Sequence, residues 1–135
     1  MARVIHLGHQ VWSNYHKTCA CNLKDRIELA NGEQPNGRAH LRGVAETVLA
    51  LLREAKQYQI PVRPIGAGWS PSPINVVEDG WLVETLRLNR TFKLSAKDLH
   101  EDCDVGAEAL LLVQAGATVD EVYESAEELG RSLRT

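Results

Sequence analysis

One stretch constrains this chain more than any other: Pro61-Val62-Arg63-Pro64-Ile65-Gly66-Ala67-Gly68-Trp69-Ser70-Pro71-Ser72-Pro73. It reads as a short apolar strand running into a loop of glycine, serine and proline. Two glycines two apart let the backbone turn tightly and expose successive N–H groups. Neither Gly66 nor Gly68 carries a side chain to block a bulky anion, and Ser70 and Ser72 add hydroxyl donors. Such a concave donor set suits a diphosphate. The same residues also suit a plain surface loop punctuated by Gly and Pro. Two familiar phosphate loops are excluded. A dinucleotide fingerprint needs a third glycine and a helix, yet Pro71 and Pro73 stand there. A Walker A loop needs a Lys that does not follow Gly68.

The residues upstream deliver the chain to this loop. Leu41, Val44, Ala45, Val48, Leu52 and Ala55 recur at three- and four-residue steps, which predicts a helix from about Ala39 to Tyr58. Pro61 stops it, and Val62–Ile65 follows as a strand. The segment before the helix, to about Leu29, is strand-like and irregular; Val11-Trp12-Ser13-Asn14-Tyr15 alternates as a half-buried strand does. Asn31–Gly37 is a loop with two Asn-Gly pairs and a proline.

Downstream, Glu78-Asp79-Gly80 is a tight turn, Trp81–Leu86 a strand, and Thr91–Leu94 the start of another. An acidic stretch from Asp98 to Glu108 reads as a solvated, flexible insertion rather than a calcium loop, because it lacks EF-hand spacing. Leu110–Gln114 is a continuous apolar run, expected as a buried strand. Thr118-Val119-Asp120-Glu121 is a capping-box signature for a second helix. Its apolar stripe is Val119, Val122, Tyr123, Ala126 and Leu129, and Gly130 suits its exit. This mixed order of strands and helices predicts an α+β fold.

Composition excludes several classes. A length of 135 residues is one domain or part of one, and 44% hydrophobic residues is ordinary for a globular chain. A net charge of −3 gives no case for nucleic acid. No apolar run reaches the ~18 residues a membrane span needs, and no signal-peptide run opens the chain. Three cysteines, an odd and low number, fit free thiols in a reducing compartment, hence a cytoplasmic location. His6, His9, His16, Cys19 and Cys21 are zinc-type ligands, but Cys-x-Cys is too tight for the usual knuckle, so no metal site is assigned. Asp120 and Glu121 read as helix-cap acids rather than a catalytic pair. Trp12 and Tyr15 are expected in the core, although either ring is able to stack on a ligand.

Four stretches together resemble the flavoprotein oxidases of the vanillyl-alcohol-oxidase type, whose FAD-binding module is the PCMH-type domain. Residues 62–72 resemble their pyrophosphate loop. Trp12-Ser13-Asn14-Tyr15 resembles the aromatic-Asn-aromatic strand opening the aldonolactone oxidase group. Residues 79–90 resemble its next strand and turn. Val113-Gln114-Ala115-Gly116-Ala117-Thr118-Val119-Asp120-Glu121, with Gly130-Arg131-Ser132-Leu133, resembles its strand-to-helix step and exit. The nearest subgroup looks like the L-gulonolactone, D-arabinono-lactone and alditol oxidases.

The resemblance implies that residues 1–135 form the N-terminal portion of a PCMH-type FAD-binding domain, an α/β subdomain of an incomplete fold. The rest of the FAD domain and the substrate domain would lie elsewhere, on a second chain if not on this one. The implied activity is FAD-dependent oxidation of a CH–OH group on a sugar-derived alcohol or aldonolactone, by hydride transfer to flavin. The alternative is a non-catalytic fragment or subunit that keeps the fold for partner contact. The implied cofactor-binding residues are Ile65, Gly66, Ala67, Gly68, Trp69, Ser70, Pro71 and Gly116; no catalytic residue is implied. The family commonly places at the Trp69 position a His that bonds covalently to the flavin. Indole has no comparable nucleophilic nitrogen, so non-covalent FAD is expected, with Trp69 against the dimethylbenzene edge or plugging the core.

Overall fold

A computed structural model describes residues 1–33 and 37–133. The part of the expected 31–37 loop at residues 34–36 lies outside the described residues. The chain runs β1 (Arg3–His6), β2 (Gln10–Ser13), β3 (Ala20–Ala30), α1 (Arg38–Gln57), β4 (Val62–Ile65), β5 (Gly80–Arg87), β6 (Thr91–Lys93), β7 (Leu111–Val113) and α2 (Val119–Glu127). The main sheet has the order β1-β3-β5-β4, with β2 also paired to β3, and β6 and β7 form a separate antiparallel pair. β5 runs parallel to both β3 and β4, while β1 and β2 are antiparallel to β3. The chain thus crosses from β3 through α1 to β4, and β5 then slots between the two parallel strands.

β3 explains why its sequence looks irregular. Cys21 and Leu23 pack on one face of the sheet with Trp12, Ile65, Val77 and Leu82. Ile27 and Leu29, also odd-numbered, pack on the other face with Leu51, Ala55, Trp81, Val83 and Leu88. A strict period of two would keep all four on one side. The register with β5 shifts between Leu23 and Asp25, so one extra residue flips the following side chains across the sheet. Each face therefore gets its own core. On β5 the neighbours Trp81, Leu82 and Val83 are all buried, alternating between the two cores.

α1 covers one face. Its bounds lie one residue from those expected, but its buried stripe is turned. His40, Gly43, Leu51 and Ala55 are buried, with Val44 and Val48 packed alongside, whereas Ala45 and Leu52 face solvent. Gly43 makes the turn workable: a Cβ there would stand 3.1 Å from the backbone of Met1, so the helix sits close to the N-terminal segment. β4 lies at the sheet edge, where Pro64 removes no needed ladder donor.

The Leu110–Gln114 run corrects the expectation of a buried strand. β7 has only β6 as its partner, and Leu112 is 40% exposed. A two-stranded ribbon leaves one face of its apolar residues uncovered. α2 starts as expected: Thr118 Oγ1 accepts from the Glu121 N–H, and the Glu121 carboxylate accepts from the Thr118 N–H. Those bonds, with one from the Asn89 side chain, hold the Glu121 carboxyl below its usual range. Val119 is exposed rather than part of the stripe, while Ala126 is buried. Gly130 closes the helix with φ 65°. The acidic stretch is largely exposed, though Asp98 at its start is tied down. Its pKa is lowered to about 2 by hydrogen bonds from the Ser95 side chain and backbone, then by the Arg38 guanidinium.

Two buried polar features join the layers. His40 has no exposed surface, and Arg90 Nη1 stands 3.2 Å from its Nδ1. A guanidinium only donates, so Nδ1 accepts and the proton resides on Nε2, 2.9 Å from Asn31 Oδ1. Gly116 is the second. A Cβ there would lie 1.9 Å from the Thr85 carbonyl oxygen, so only glycine lets this turn press on β5.

Two predictions follow from these contacts. Gly116→Ala lowers the unfolding free energy by about 2–4 kcal/mol in urea titrations, since backbone rather than a movable side chain stands in the way. Burial first, then the Arg90 charge and the N-terminus, depress the His40 pKa below its usual value. The unfolded chain then binds the extra proton, so stability is fully present above about pH 6.5 and falls as pH drops below it, by at most about 1.4 kcal/mol per pH unit. Urea midpoints between pH 5 and 8 check this, and a flat profile contradicts it.

Candidate functional site

β4 ends at Ile65, and the glycine loop leaves the sheet at the carboxyl end of that parallel strand, the usual end for ligand loops in parallel sheets. Ile65 itself is buried in the second core and anchors the loop. Gly66, Ala67, Trp69 and Pro71 are exposed beyond it. Gly68 takes φ 71°, the left-handed region, and a Cβ on it would meet Ile65 Cδ1 at 3.4 Å. At Gly66 a Cβ would meet nothing within 4 Å, so open space lies beside it.

Five carbonyls of this segment accept hydrogen bonds. Thr85 Oγ1 donates to Ile65 O at 3.3 Å and Asn75 Nδ2 to Pro64 O at 3.0 Å. The Tyr15 N–H donates to Gly68 O at 3.2 Å, Asn14 Nδ2 to Ser70 O at 2.8 Å, and Thr18 Oγ1 to Pro71 O at 2.7 Å. The amides differ. Among the described residues, the backbone N–H groups of residues 67–70 donate to no protein acceptor. The Ser70 and Ser72 hydroxyls bond each other at 2.8 Å, and Ser70 Oγ also accepts from the Ser72 N–H. The result is a run of four free donors with no carboxylate in the loop, which suits an anion such as a diphosphate.

Aromatic rings stand beside this run. Trp69 is 60% exposed and Tyr15 63% exposed. Their rings stack with centroids 4.2 Å apart and planes 26° from parallel, and His16 meets both edge-on. So Trp69 does not plug the core, and Tyr15 is not a core residue; Trp12 is. Tyr15 follows β2, where the chain turns at Asn14–Cys19, and that turn carries the ring out of the sheet and over the loop.

Gly116 is not in this run. It is buried against β5, where Thr85 touches both features: its hydroxyl holds Ile65 and its carbonyl abuts Gly116. Sequence reasoning did not single out Asn14, Thr18, Asn75 or Thr85 as loop anchors. Asn14 lies 56 residues from Ser70, its partner, and no local pattern marks such a pair.

The remaining sequence candidates go elsewhere. Among the described residues no three His, Cys, Asp or Glu side chains gather as a metal site. His6 pairs with Asp25 on the sheet edge. A cavity of about 410 Å³ opens between the start of α1 and the β6–β7 ribbon, lined by Arg38, Phe92, Lys93 and Ser125 among others, away from the loop. A run of surface amides needs no deep hollow to meet an anion.

Residues 43–135 match the family model of the FAD binding domain, and the chain belongs to that family. No curated protein matches the chain by sequence. Among solved structures, cholesterol oxidase from B. sterolicum superposes with a TM-score of 0.54 at 16% identity, over 94% of this chain and 20% of that one. A histidine-to-alanine mutant of cholesterol oxidase from Brevibacterium sterolicum gives 0.58 at 18% identity, with the same coverage. At such identities the likeness is one of fold. The chain spans about a fifth of the length of these structures. The fold is that of the N-terminal part of a PCMH-type FAD-binding domain. Among the described residues no helix is long and apolar enough to cross a membrane.

The two loop glycines separate on substitution. Gly66→Ala leaves stability within about 0.5 kcal/mol, because space is open and no left-handed backbone is required. Gly68→Ala costs about 1 kcal/mol through its positive φ. Thermal midpoints of the two variants check the contrast; equal effects contradict it.

Proposed function

We propose that this chain, residues 1–135, is the N-terminal portion of the FAD-binding domain of a PCMH-type flavin-dependent oxidoreductase, and that Ile65, Gly66, Ala67, Gly68, Trp69, Ser70 and Pro71 hold the FAD diphosphate. One observation carries the reading: the amides of residues 67–70 have no protein acceptor, while the carbonyls of Ile65, Gly68, Ser70 and Pro71 are tied down. Gly116 serves indirectly, by letting the turn before α2 close on β5 behind the loop. When bound, the flavin supplies the redox chemistry, and the protein's part is to position it.

This chain's residues bind and orient. The free N–H groups neutralise phosphate charge without a cation, and Ser70 and Ser72 stand ready to turn a hydroxyl proton toward it. Trp69 and Tyr15 exclude water from one side of the loop and offer an aromatic face. Indole at position 69 has no nucleophilic nitrogen to offer, so FAD is held without a covalent bond through this position. The aromatic-Asn-aromatic segment at Trp12–Tyr15 and the Val113–Glu121 segment favour the aldonolactone and alditol oxidase group. The substrate is then a sugar-derived alcohol or lactol oxidised at a CH–OH group. The groups that bind it come from residues outside this chain, on the same polypeptide or a second one.

Acid precipitation of the full-length protein, purified after growth and saturated with FAD, tests both parts. Flavin is expected with the protein before acid and in the supernatant after it. Flavin retained in the pellet overturns non-covalent attachment. Absence of bound flavin before acid overturns the FAD assignment.

A further inference from the structure

Three carbonyls of the glycine loop, those of Gly68, Ser70 and Pro71, are tied to a corner more than fifty residues upstream. Asn14 is 3% exposed, and its side chain uses both ends. Oδ1 accepts from the Thr18 N–H at 2.9 Å and the Cys19 N–H at 3.2 Å, which closes the turn Asn14–Cys19. Nδ2 donates to Ser70 O at 2.8 Å and to Thr18 Oγ1 at 2.8 Å. Because Thr18 Oγ1 accepts from Asn14, its own proton is free for Pro71 O, where it goes. The Tyr15 N–H, one residue on, takes Gly68 O.

From this arrangement we infer that Asn14 is a positioning residue for the diphosphate loop, acting through backbone orientation rather than by touching the ligand. The inference rests on the FAD reading above. The peptide units here are trans, so in each unit the C=O and the following N–H point opposite ways. Drawing the Gly68 carbonyl into the corner turns the Trp69 N–H out of it. Drawing Ser70 O and Pro71 O the same way fixes where the loop leaves, and so the lie of the amides between. A loop held in its binding conformation does not spend affinity on ordering itself when a ligand arrives.

Asn14→Asp tests this with one atom changed. An aspartate still accepts from the Thr18 and Cys19 amides, so the turn is kept. Its second oxygen cannot donate to Ser70 O, and it accepts the Thr18 hydroxyl proton that Pro71 O otherwise receives. Both side-chain ties to the loop are cut together. FAD affinity of the full-length protein is expected to fall about tenfold or more. The ligand-free thermal midpoint falls as well, because a buried carboxylate then faces the Ser70 carbonyl, so affinity is measured well below that midpoint, where the variant is folded. Thr18→Val removes the Pro71 tie together with the Asn14 Nδ2–Thr18 Oγ1 bond but leaves the Ser70 tie in place, and should weaken FAD by about two- to threefold.

Amide hydrogen exchange supplies a readout that a purely structural role would leave alone. In the wild type, FAD slows exchange across residues 67–70. In Asn14→Asp that ligand-dependent protection is lost, while the exchange of residues 80–87 is unchanged. Wild-type affinity and protection in Asn14→Asp overturn the inference. If Asn14→Asp fails to fold, Thr18→Val decides: unaltered affinity and protection overturn it. A wild type that binds no FAD, or binds it without protecting residues 67–70, sinks the diphosphate reading itself.

Discussion

β5 is the constraint from which the rest of this structure follows. It is hydrogen-bonded along both edges, to β3 and to β4, and residues 80–83 are buried on both faces. A strand so placed must be apolar throughout, as Gly80-Trp81-Leu82-Val83 is, and a parallel sheet must be covered on both sides. α1 packs on one face, and on the other the sheet's own side chains Trp12, Cys21, Leu23, Ile65 and Leu82 gather around Val77. The second half of the strand then serves as a bracket. Thr85 holds Ile65 with its hydroxyl and meets Gly116 with its carbonyl, and Leu88 O accepts from the Gly116 N–H. Loop, sheet and the turn into α2 are thereby referenced to one short piece of backbone.

The bulge in β3 has a consequence for the site. Because the strand changes face between Leu23 and Asp25, its first half belongs to the same core as Ile65. β2 pairs with that half, at Ala20–Leu23, and so arrives on the loop side of the sheet. The corner between β2 and β3 then stands where it can meet the carbonyls of Gly68, Ser70 and Pro71. Were the same residues to alternate without the bulge, Leu23 would lie on the α1 face with Ile27, and Trp12 and the corner would lose their floor. A local irregularity on one strand thus decides which distant segment completes a loop on another.

Much of this was legible in the sequence where one period or one cap governs. Val62–Ile65 is the strand expected, Thr118 and Glu121 make the expected capping box, and α1 departs by a residue at each end. What was hidden depends on pairs far apart in the chain. β3 has charged residues at 24–26 and a broken alternation, so no window shows a clean strand. His40 carried no signal of its own; its burial goes with bonds to Arg90 and Asn31, which the fold alone brings together. The apolar run at Leu111–Val113 carried a strand signal but no sign that only one partner strand would flank it. At the site, Gly66 and Gly68 were visible because glycine spacing is local. Asn14, Thr18 and Thr85 were not, because a carbonyl leaves no trace of its partner in sequence.

Under the FAD reading, Trp69 gives the loop a selectivity that amides alone lack. Free N–H groups attract inorganic diphosphate as readily as a dinucleotide, since both present the same oxygens. An indole within the same loop changes that balance. Stacking on Tyr15 holds the ring in one orientation at no cost to the amides, and most of its surface is still exposed to solvent. Covering such a ring releases about 25 cal/mol for each Å² of apolar surface removed from water, a gain open only to a ligand that carries its own ring. Under the FAD reading, phosphate oxygens and aromatic surface are recognised by neighbouring residues. The Tyr15 N–H holds Gly68 while the Tyr15 ring holds Trp69. A single residue of the N-terminal corner thereby sets the geometry of both halves of the site.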